Sequence, residues 1–392
     1  MNTGPAPQRP VLRGGRVVIV GGGVVGLSIA YHLAARGYRD VTLVERRTLG
    51  SGTTANGTGG IRQQFSSPIN VALSRRAVDY FVHFEERVGR AIHYRQHGYL
   101  FLFDCPEQLT TFRANVAMQQ KAGVSVEILK TEEIAKSMPH VRLDGLVGAS
   151  FCPTDGSARS RDVVGAFADR ARRHGAQLLE GTVVTAMRRD THGATCGVET
   201  TDGFIEAEVV INAAGPWAAE VGALCDLPLP IAPHRRQAFA VASLPWLTPE
   251  MPLTIDFGTG AYVHPGFDGA VIGGNDRDID AGFDDEVDWS LVPSLKAALA
   301  NRVPAMAKAV IIRGWAGLRD MTPDDHAIVG PVVTVPGFWL AAGFSGHGFM
   351  HSPVIGELLS EWLIDGAPSL DLAPLGFERF GHQKATAETA VF

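Results

Sequence analysis

The sequence predicts an α+β fold in which a Rossmann-like dinucleotide-binding domain is interleaved with a sheet-rich second domain. Three observations carry the prediction. Glycines at 21, 23 and 26 follow a β-branched run and open a segment with apolar residues at helical spacing. Val209–Trp217 (VVINAAGPW) and Leu340–Phe349 (LAAGFSGHGF) each read as a buried strand running into a small-residue turn. Between these pieces, Ile231–Gly274 alternates apolar and polar residues with turn residues between, as antiparallel strands do.

The elements follow in order. Arg16–Val20 is a short strand, Leu27–Arg36 a helix with Leu27, Ala30, Leu33 and Ala34 on one face and Gly37 as its stop, and Val41–Val44 a second strand ending in Glu45. Val71–Val88 and Leu109–Lys121 have helical spacing, with strand-like pieces at Gly98–Phe103 and Ser125–Leu129. Thr131–Met138 is a helix whose capping box is incomplete, because Ile134 stands third after Thr131. Asp162–His174 is amphipathic and ends at Gly175, and strands are expected at Thr182–Met187, Thr195–Thr200 and Phe204–Asn212. Leu291–Asn301 is helical, Phe338–Ala342 a strand and Ser352–Leu363 a helix. The nucleotide-binding pieces are then 15–85, 150–225 and 325–380, the sheet-rich pieces 86–149 and 226–324, and the tails 1–14 and 381–392. Interleaved domains leave a cleft between them, where ligands usually sit.

Composition narrows the class. The 392 residues suit two or three domains at roughly 150 residues each. They are 45% hydrophobic and 19% charged, which suits a globular protein with a filled core. A net charge of −6 with both signs interspersed argues against nucleic acid as a partner. No run approaches the roughly 20 apolar residues of a membrane span, and residues 1–15 lack an apolar signal region. A cytoplasmic location with no membrane span is expected. Cys105, Cys152, Cys196 and Cys225 form no C-x-x-C pair, and the 13 histidines show no H-E-x-x-H motif. Reduced thiols and no metal are therefore expected.

The glycine motif has the context its chemistry needs. It follows a strand, opens a helix, and is followed about 20 residues later by an acid at the end of the next strand. Gly21 permits the tight turn, Gly23 lets a pyrophosphate approach the backbone, and Gly26 allows close helix–strand packing. Neighbouring Val25 lies at the helix start, whose N–H groups and positive dipole end face the phosphates. Glu45, with Arg46 beside it, would accept hydrogen bonds from ribose hydroxyls. This motif alone leaves NAD and FAD both open.

With Ser51–Asn56 (SGTTAN) the three glycine-bearing segments resemble those of the D-amino-acid oxidase superfamily, flavoproteins of glutathione-reductase type. Within it they are similar to the group of sarcosine oxidase β-subunits, monomeric sarcosine oxidases and glycine oxidases. The resemblance runs from about Arg16 to Leu363. It implies FAD contacts at Gly21, Gly23, Gly26, Glu45, Thr53, Thr54 and Asn56, and an adenine-side backbone contact at Val183. It implies further that Ala214, Gly215 and Trp217 line the cofactor and that Gly343, Gly346, His347, Gly348 and Phe349 lie against the flavin. A helix N-terminus near Gly346–Gly348 would stabilise negative charge there. His347 is a flavin contact or a turn residue.

Trp315–Arg319 (WAGLR) resembles the segment whose arginine binds the substrate carboxylate in glycine oxidases and D-amino-acid dehydrogenases, so Arg319 is expected to grip a carboxylate with its planar fork. Arg62 stands one position out of register with a second such arginine. Tyr262 and His264 share a strand and are candidates for the pocket wall. Three departures matter. Gly317 replaces the cysteine that tethers flavin in monomeric sarcosine oxidases, so FAD is expected to be non-covalent. Met350 replaces a carboxylate-binding lysine, and Val271 a lysine that promotes reaction with oxygen. Electron transfer to a partner subunit or another acceptor is therefore an open alternative to oxygen. The expected reaction is hydride loss from the carbon beside nitrogen in a small amine, of sarcosine, glycine, proline or D-amino-acid type, followed by imine hydrolysis. A non-catalytic flavoprotein assembly factor is the contrasting reading.

Overall fold

The computed structural model describes residues 11–244, 246–266, 269–274, 276, 279–382 and 387–390. Two sheets organise it. The first has six strands in the order Ile328–Pro331, Phe338–Ala342, Val209–Asn212, Val17–Val20, Val41–Glu45 and Gln177–Glu180. All neighbours run parallel except Ile328–Pro331, which is antiparallel on the edge. Every residue of Val17–Val20, Val209–Asn212 and Phe338–Ala342 is buried, as expected of parallel strands covered on both faces. Helix Val24–Ala35 packs against helices Ser160–Arg173 and Gly348–Asp365 on one face.

Register decides where the site forms. Val20 pairs with both Asn212 and Val44, and Asn212 pairs with Leu340. The carboxyl ends of four strands thus stand in line, and the turns after them gather at one edge, where ligands bind in such sheets.

The second sheet has eight strands in the order Ile311–Met321, Ala232–Val241, Ala270–Gly273, Tyr262–Pro265, Leu253–Asp256, Tyr99–Phe103, Gly148–Cys152 and Glu127–Leu129. One apolar cluster here joins Leu100, Leu102, Phe239, Val263, Ile272, Leu295 and Leu299. Among the described residues no helix is long and apolar enough to cross a membrane.

Several elements differ from expectation for identifiable reasons. The helix expected over Val71–Val88 is two, Pro68–Val82 and Phe84–Val88, because His83 leaves helical geometry at φ −100° and ψ 20°. The strand expected over Phe204–Asn212 divides between sheets. Gly203–Glu206 pairs with Thr195–Thr200, whereas Val209–Asn212 joins the parallel sheet. The helix Thr131–Ser137 is capped at Lys130, whose N–H donates to Glu133 at 2.7 Å; the reciprocal arm of a capping box is missing, because a lysine side chain has no acceptor. The last long helix starts at Gly348, not Ser352, and contains Pro353. Proline cannot bond the carbonyl four residues back. That carbonyl, of Phe349, instead accepts the Ser352 hydroxyl at 2.9 Å. The strand Ile311–Met321 was not predicted, since Arg313, Gly314, Gly317, Arg319 and Asp320 interrupt its apolar pattern.

Described parts of both expected tails pack on the body. Residues 1–10 lie outside the described residues, but Val11 and Leu12 both donate to the Leu363 carbonyl at 3.1 Å. Residues 387–390 dock on the body, with Glu388 and Ala390 buried.

Candidate active site

One cavity of about 500 Å³ runs along the carboxyl edge of the parallel sheet to the face of the eight-stranded sheet. At its first end are Gly21, Gly23, Val25, Glu45, Arg46, Thr53, Thr54 and Asn56. Gly21 has φ +113°, and a Cβ there would stand 2.7 Å from the Ala213 carbonyl carbon. Gly26 is set back from the cavity, and a Cβ there would meet the Gly21 carbonyl oxygen. Only glycine permits this helix to start so close to the strand. Glu45 turns its carboxylate back onto the turn, accepting from Gly22 N at 2.7 Å and Arg47 N at 2.8 Å. Thr54 Oγ accepts from Val24 N at 3.2 Å, and Thr53 Oγ donates to the Leu318 carbonyl at 2.7 Å. The short helix Thr53–Asn56 is thereby fastened to the start of helix Val24–Ala35 and to the eight-stranded sheet.

The wall on this side is Val183 with Ala214, Gly215 and Trp217. The Arg46 guanidinium lies 3.8 Å from the centre of the Trp217 ring. Val183 has its backbone engaged by Thr201, whose hydroxyl accepts from Val183 N at 3.1 Å and whose N–H donates to Val183 O at 2.9 Å.

Gly346, Gly348, Phe349 and Met350 form the middle of the cavity. Their turn is held by Asp320, whose carboxylate accepts from Gly343 N at 2.7 Å and Phe344 N at 3.0 Å. The Asp320 carbonyl accepts from Ser345 N at 2.9 Å. Two expected contacts are corrected here. Gly343 lies behind the wall, where a Cβ would stand 3.4 Å from Ile231 side-chain carbons. The His347 side chain does not line the cavity, because the turn through Ser345 (φ +49°) and Gly346 (φ +94°) sends it inward. Its ring is buried between Phe65 and His351 at 5.4 and 5.0 Å, with neither nitrogen hydrogen-bonded among the described residues. Burial holds it well below its usual pKa, so it is neutral.

At the far end stand Arg319, Arg62 and Tyr262 with Tyr99, Leu253, Ile255, Arg236 and Gln237. Arg319 sits on the strand Ile311–Met321 opposite His234, directly beneath the glycine turn: a Cβ on Gly346 would stand 2.8 Å from Arg319 Nε. Arg62 Nη2 donates to the Ala390 carbonyl at 2.7 Å, Nη1 donates to the Gln64 carbonyl, and the guanidinium lies 3.9 Å over the Phe65 ring. Burial lowers Arg62 to about 10, which leaves it charged at neutral pH. Burial raises the Tyr262 phenol, so it remains a hydrogen-bond donor. His264, two residues along the same strand, is not in the wall. It is buried against His97 at 5.7 Å, and burial lowers it to about 3.

Tyr99, Arg236 and Gln237 were not anticipated. Tyr99 begins an all-buried aromatic strand that reads as core. Arg236 and Gln237 sit in Ala232–Val241, where strand alternation was a usable signal for Arg236 but gave no reason to prefer it over Arg235.

The family model for FAD dependent oxidoreductases (DAO) matches residues 16–362. The chain belongs to this family. It is 30% identical over 392 residues to the mitochondrial dimethylglycine dehydrogenase of Rattus norvegicus, covering 95% of this chain and 45% of the relative. The chain thus spans under half the length of that curated relative. Among solved structures it is similar to the L-proline dehydrogenase of P. horikoshii, at 33% identity and a TM-score of 0.88, covering 96% of this chain and 99% of that one. It is also similar to the glycine oxidase of Geobacillus kaustophilus, at 28% identity and a TM-score of 0.83, covering 94% and 99%.

The residues of this family member fit FAD. The cavity is long, the helix N-terminus at Val24 opens into it, and beside Gly23 the nearest atom to a Cβ would be Thr54 Oγ at 3.5 Å, leaving the backbone approachable. At Gly317 a Cβ would stand 2.6 Å from Asn56 Cβ. Among the described residues no cysteine or histidine lines the cavity.

Proposed function

We propose that this chain oxidises a small amino acid or N-alkyl amino acid at the C–N bond, using non-covalently bound FAD. One observation carries the reading: a single cavity joins the Gly21–Gly23 turn to Arg319 and Tyr262. In this reading residues 15–85, 150–225 and 325–380 bind FAD, and 86–149 and 226–324 bind substrate. Strand membership supports the division, with Gly148–Cys152 straddling its border.

FAD, when bound, supplies the acceptor for the hydride leaving the carbon beside nitrogen. The chain's own part is orientation. Arg319 grips the carboxylate through two parallel hydrogen bonds, and the protonated Tyr262 phenol donates a third. Arg62 adds positive charge at the same end. Leu253, Ile255, Phe349 and Met350 give apolar walls that exclude water from the reacting carbon. The amine reacts uncharged, losing hydride from carbon and a proton from nitrogen, and water then splits the imine into a carbonyl compound and an amine. His264 and His347 are set back from the cavity and take no part in this proton transfer.

The electron acceptor is proposed to be something other than oxygen, such as a partner protein. Met350 is in the wall, Val271 lies on the strand Ala270–Gly273, and among the described residues no lysine lines the cavity. Its cations are arginines, which hold charge but do not shed a proton near neutrality. The test is anaerobic bleaching of the bound flavin by D-, L- and N-methyl amino acids and by amines lacking a carboxylate. Bleaching confined to carboxylate-bearing members supports the reading. A flavin that no member bleaches overturns it.

A further inference from the structure

The segment 387–390 lies more than 300 residues in sequence from Ser66, Asn70 and Arg62, which it touches, yet Glu388 is only 2% exposed and Ala390 only 1%. Nothing in the proposed reaction uses it. Its anchor is the Glu388 carboxylate, which sits at the N-terminus of helix Pro68–Val82. It accepts from Ser66 N at 2.6 Å, Ser67 N at 3.1 Å, Ser67 Oγ at 3.0 Å and Asn70 Nδ2 at 3.0 Å, and also from the Ser66 hydroxyl. A carboxylate is stabilised there by several donors and by the positive end of the helix. Burial alone would raise its pKa, but these hydrogen bonds outweigh burial and hold it below the usual range.

From that anchor the segment reaches both arginine-bearing parts of the site. Glu388 N donates to the Asp324 carbonyl at 3.0 Å, four residues beyond the strand-end Asp320 that adjoins Arg319. Ala390 O accepts from Arg62 Nη2 at 2.7 Å. With the Gln64 carbonyl on Nη1 and the Phe65 ring beneath, two hydrogen bonds and a stacking contact fix the plane of the guanidinium. Each terminal nitrogen of arginine carries a second N–H. Arg62 and Arg319 face one cavity and repel each other.

We propose that residues 387–390 are a clasp, anchored by Glu388, that positions Arg62 as the second arm of the clamp on the substrate carboxylate. The proposal rests on the carboxylate reading above. Glu388 touches no substrate; it is a positioning residue acting through the Ala390 carbonyl and Arg62.

The test uses the FAD-loaded protein and methoxyacetate, which keeps the carboxylate and replaces the oxidisable amine by an ether. Its Kd is read from the change in flavin absorbance. Glu388→Ala is expected to raise Kd about tenfold, the size of one charge-assisted hydrogen bond weakened, and Glu388→Gln to recover part of it. In an Arg62→Ala background the same change should add less than about twofold, because coupled residues are not additive. An unchanged Kd, or an equal rise in both backgrounds, overturns the clasp. If Glu388→Ala does not fold, Glu388→Gln carries the same comparison. If methoxyacetate does not bind the parent protein, the carboxylate reading fails, and a crystal structure of the Glu388 variant judges the clasp separately. A guanidinium displaced from its place over Phe65 supports it, and an unmoved one overturns it.

Discussion

Replacing Arg319 by alanine separates substrate binding from everything else the strand does. The backbone of Arg319 pairs with His234 in the ladder of Ile311–Met321, and truncating the side chain leaves that pairing intact. The turn above it is fastened by Asp320, so FAD should remain bound. The loss then falls on the carboxylate. Removing one partner of a charge-assisted bidentate pair in a desolvated site costs on the order of 2–4 kcal/mol. That is a fall in kcat/KM of roughly 30- to 1,000-fold at about 1.4 kcal/mol per tenfold. Arg319→Lys should recover only part, because an ammonium keeps the charge without the planar fork. The assay is steady-state kinetics with an artificial acceptor, run beside the amine that lacks the carboxylate. That amine should be a poor substrate for the parent protein and lose little more in the variant. An equal fall for both substrates would mean that Arg319 is structural and would refute the assignment.

Three further outcomes are expected. Acid precipitation should leave the yellow colour in the supernatant as FAD, since among the described residues no cysteine or histidine lines the cavity; colour in the pellet would show a covalent bond. Stopped-flow reoxidation of the reduced protein should be slower with oxygen than with an artificial acceptor, and faster reaction with oxygen would show that one of the arginines does the work assigned to lysine. Burial pushes the Asp155 carboxyl up from 3.8 to about 6, so between those values the folded state holds a proton that the unfolded chain has released, and stability falls as pH rises through that window. Asp155→Asn should therefore gain on the order of 2–3 kcal/mol relative to the parent between pH 4 and pH 7, measured by denaturant unfolding at each pH; a constant difference would show that Asp155 ionises normally.

The parts legible in the sequence are those where local chemistry and fold agree. Parallel strands are buried on both faces, so Val17–Val20, Val209–Asn212 and Phe338–Ala342 appear as apolar runs, and the turns after them carry glycines because the backbone crowds there. The carboxylate end was harder to read. Among the described residues Ile311–Met321 pairs on one side only, with Ala232–Val241, and its cavity-lining stretch mixes Gly317 and Leu318 with Arg319 and Asp320, which breaks the strand pattern. Tyr262 and His264 share a face by alternation, but the cavity ends at Tyr262, and a two-residue spacing gives no information about where a cavity ends. His347 reads as a loop residue beside a cofactor, whereas the left-handed turn before it directs the ring into the core. Residues 387–390 have no local pattern at all, since their partners are Ser66, Asn70 and Arg62.

Asp320 links the two halves of the site. It follows Arg319, so its backbone belongs to the substrate sheet, while its carboxylate and carbonyl hold three consecutive N–H groups of the Gly343–Ser345 turn. A buried carboxylate without compensation is costly, and burial does raise its pKa, with the Phe344 and Gly343 N–H bonds opposing the rise. The folded state therefore tolerates this charge for what it positions. Asp320→Ala would orphan two buried N–H groups at roughly 1–3 kcal/mol each. It would also free the glycine turn from the strand that carries Arg319. The expected result is a variant with a lower melting temperature, weaker FAD retention and higher KM together. Asp320→Asn, whose amide oxygen can still accept from Gly343 and Phe344, should restore much of the stability and FAD binding. If Asp320→Ala loses stability but binds FAD and substrate as before, the two halves are positioned independently and the link between them is not functional.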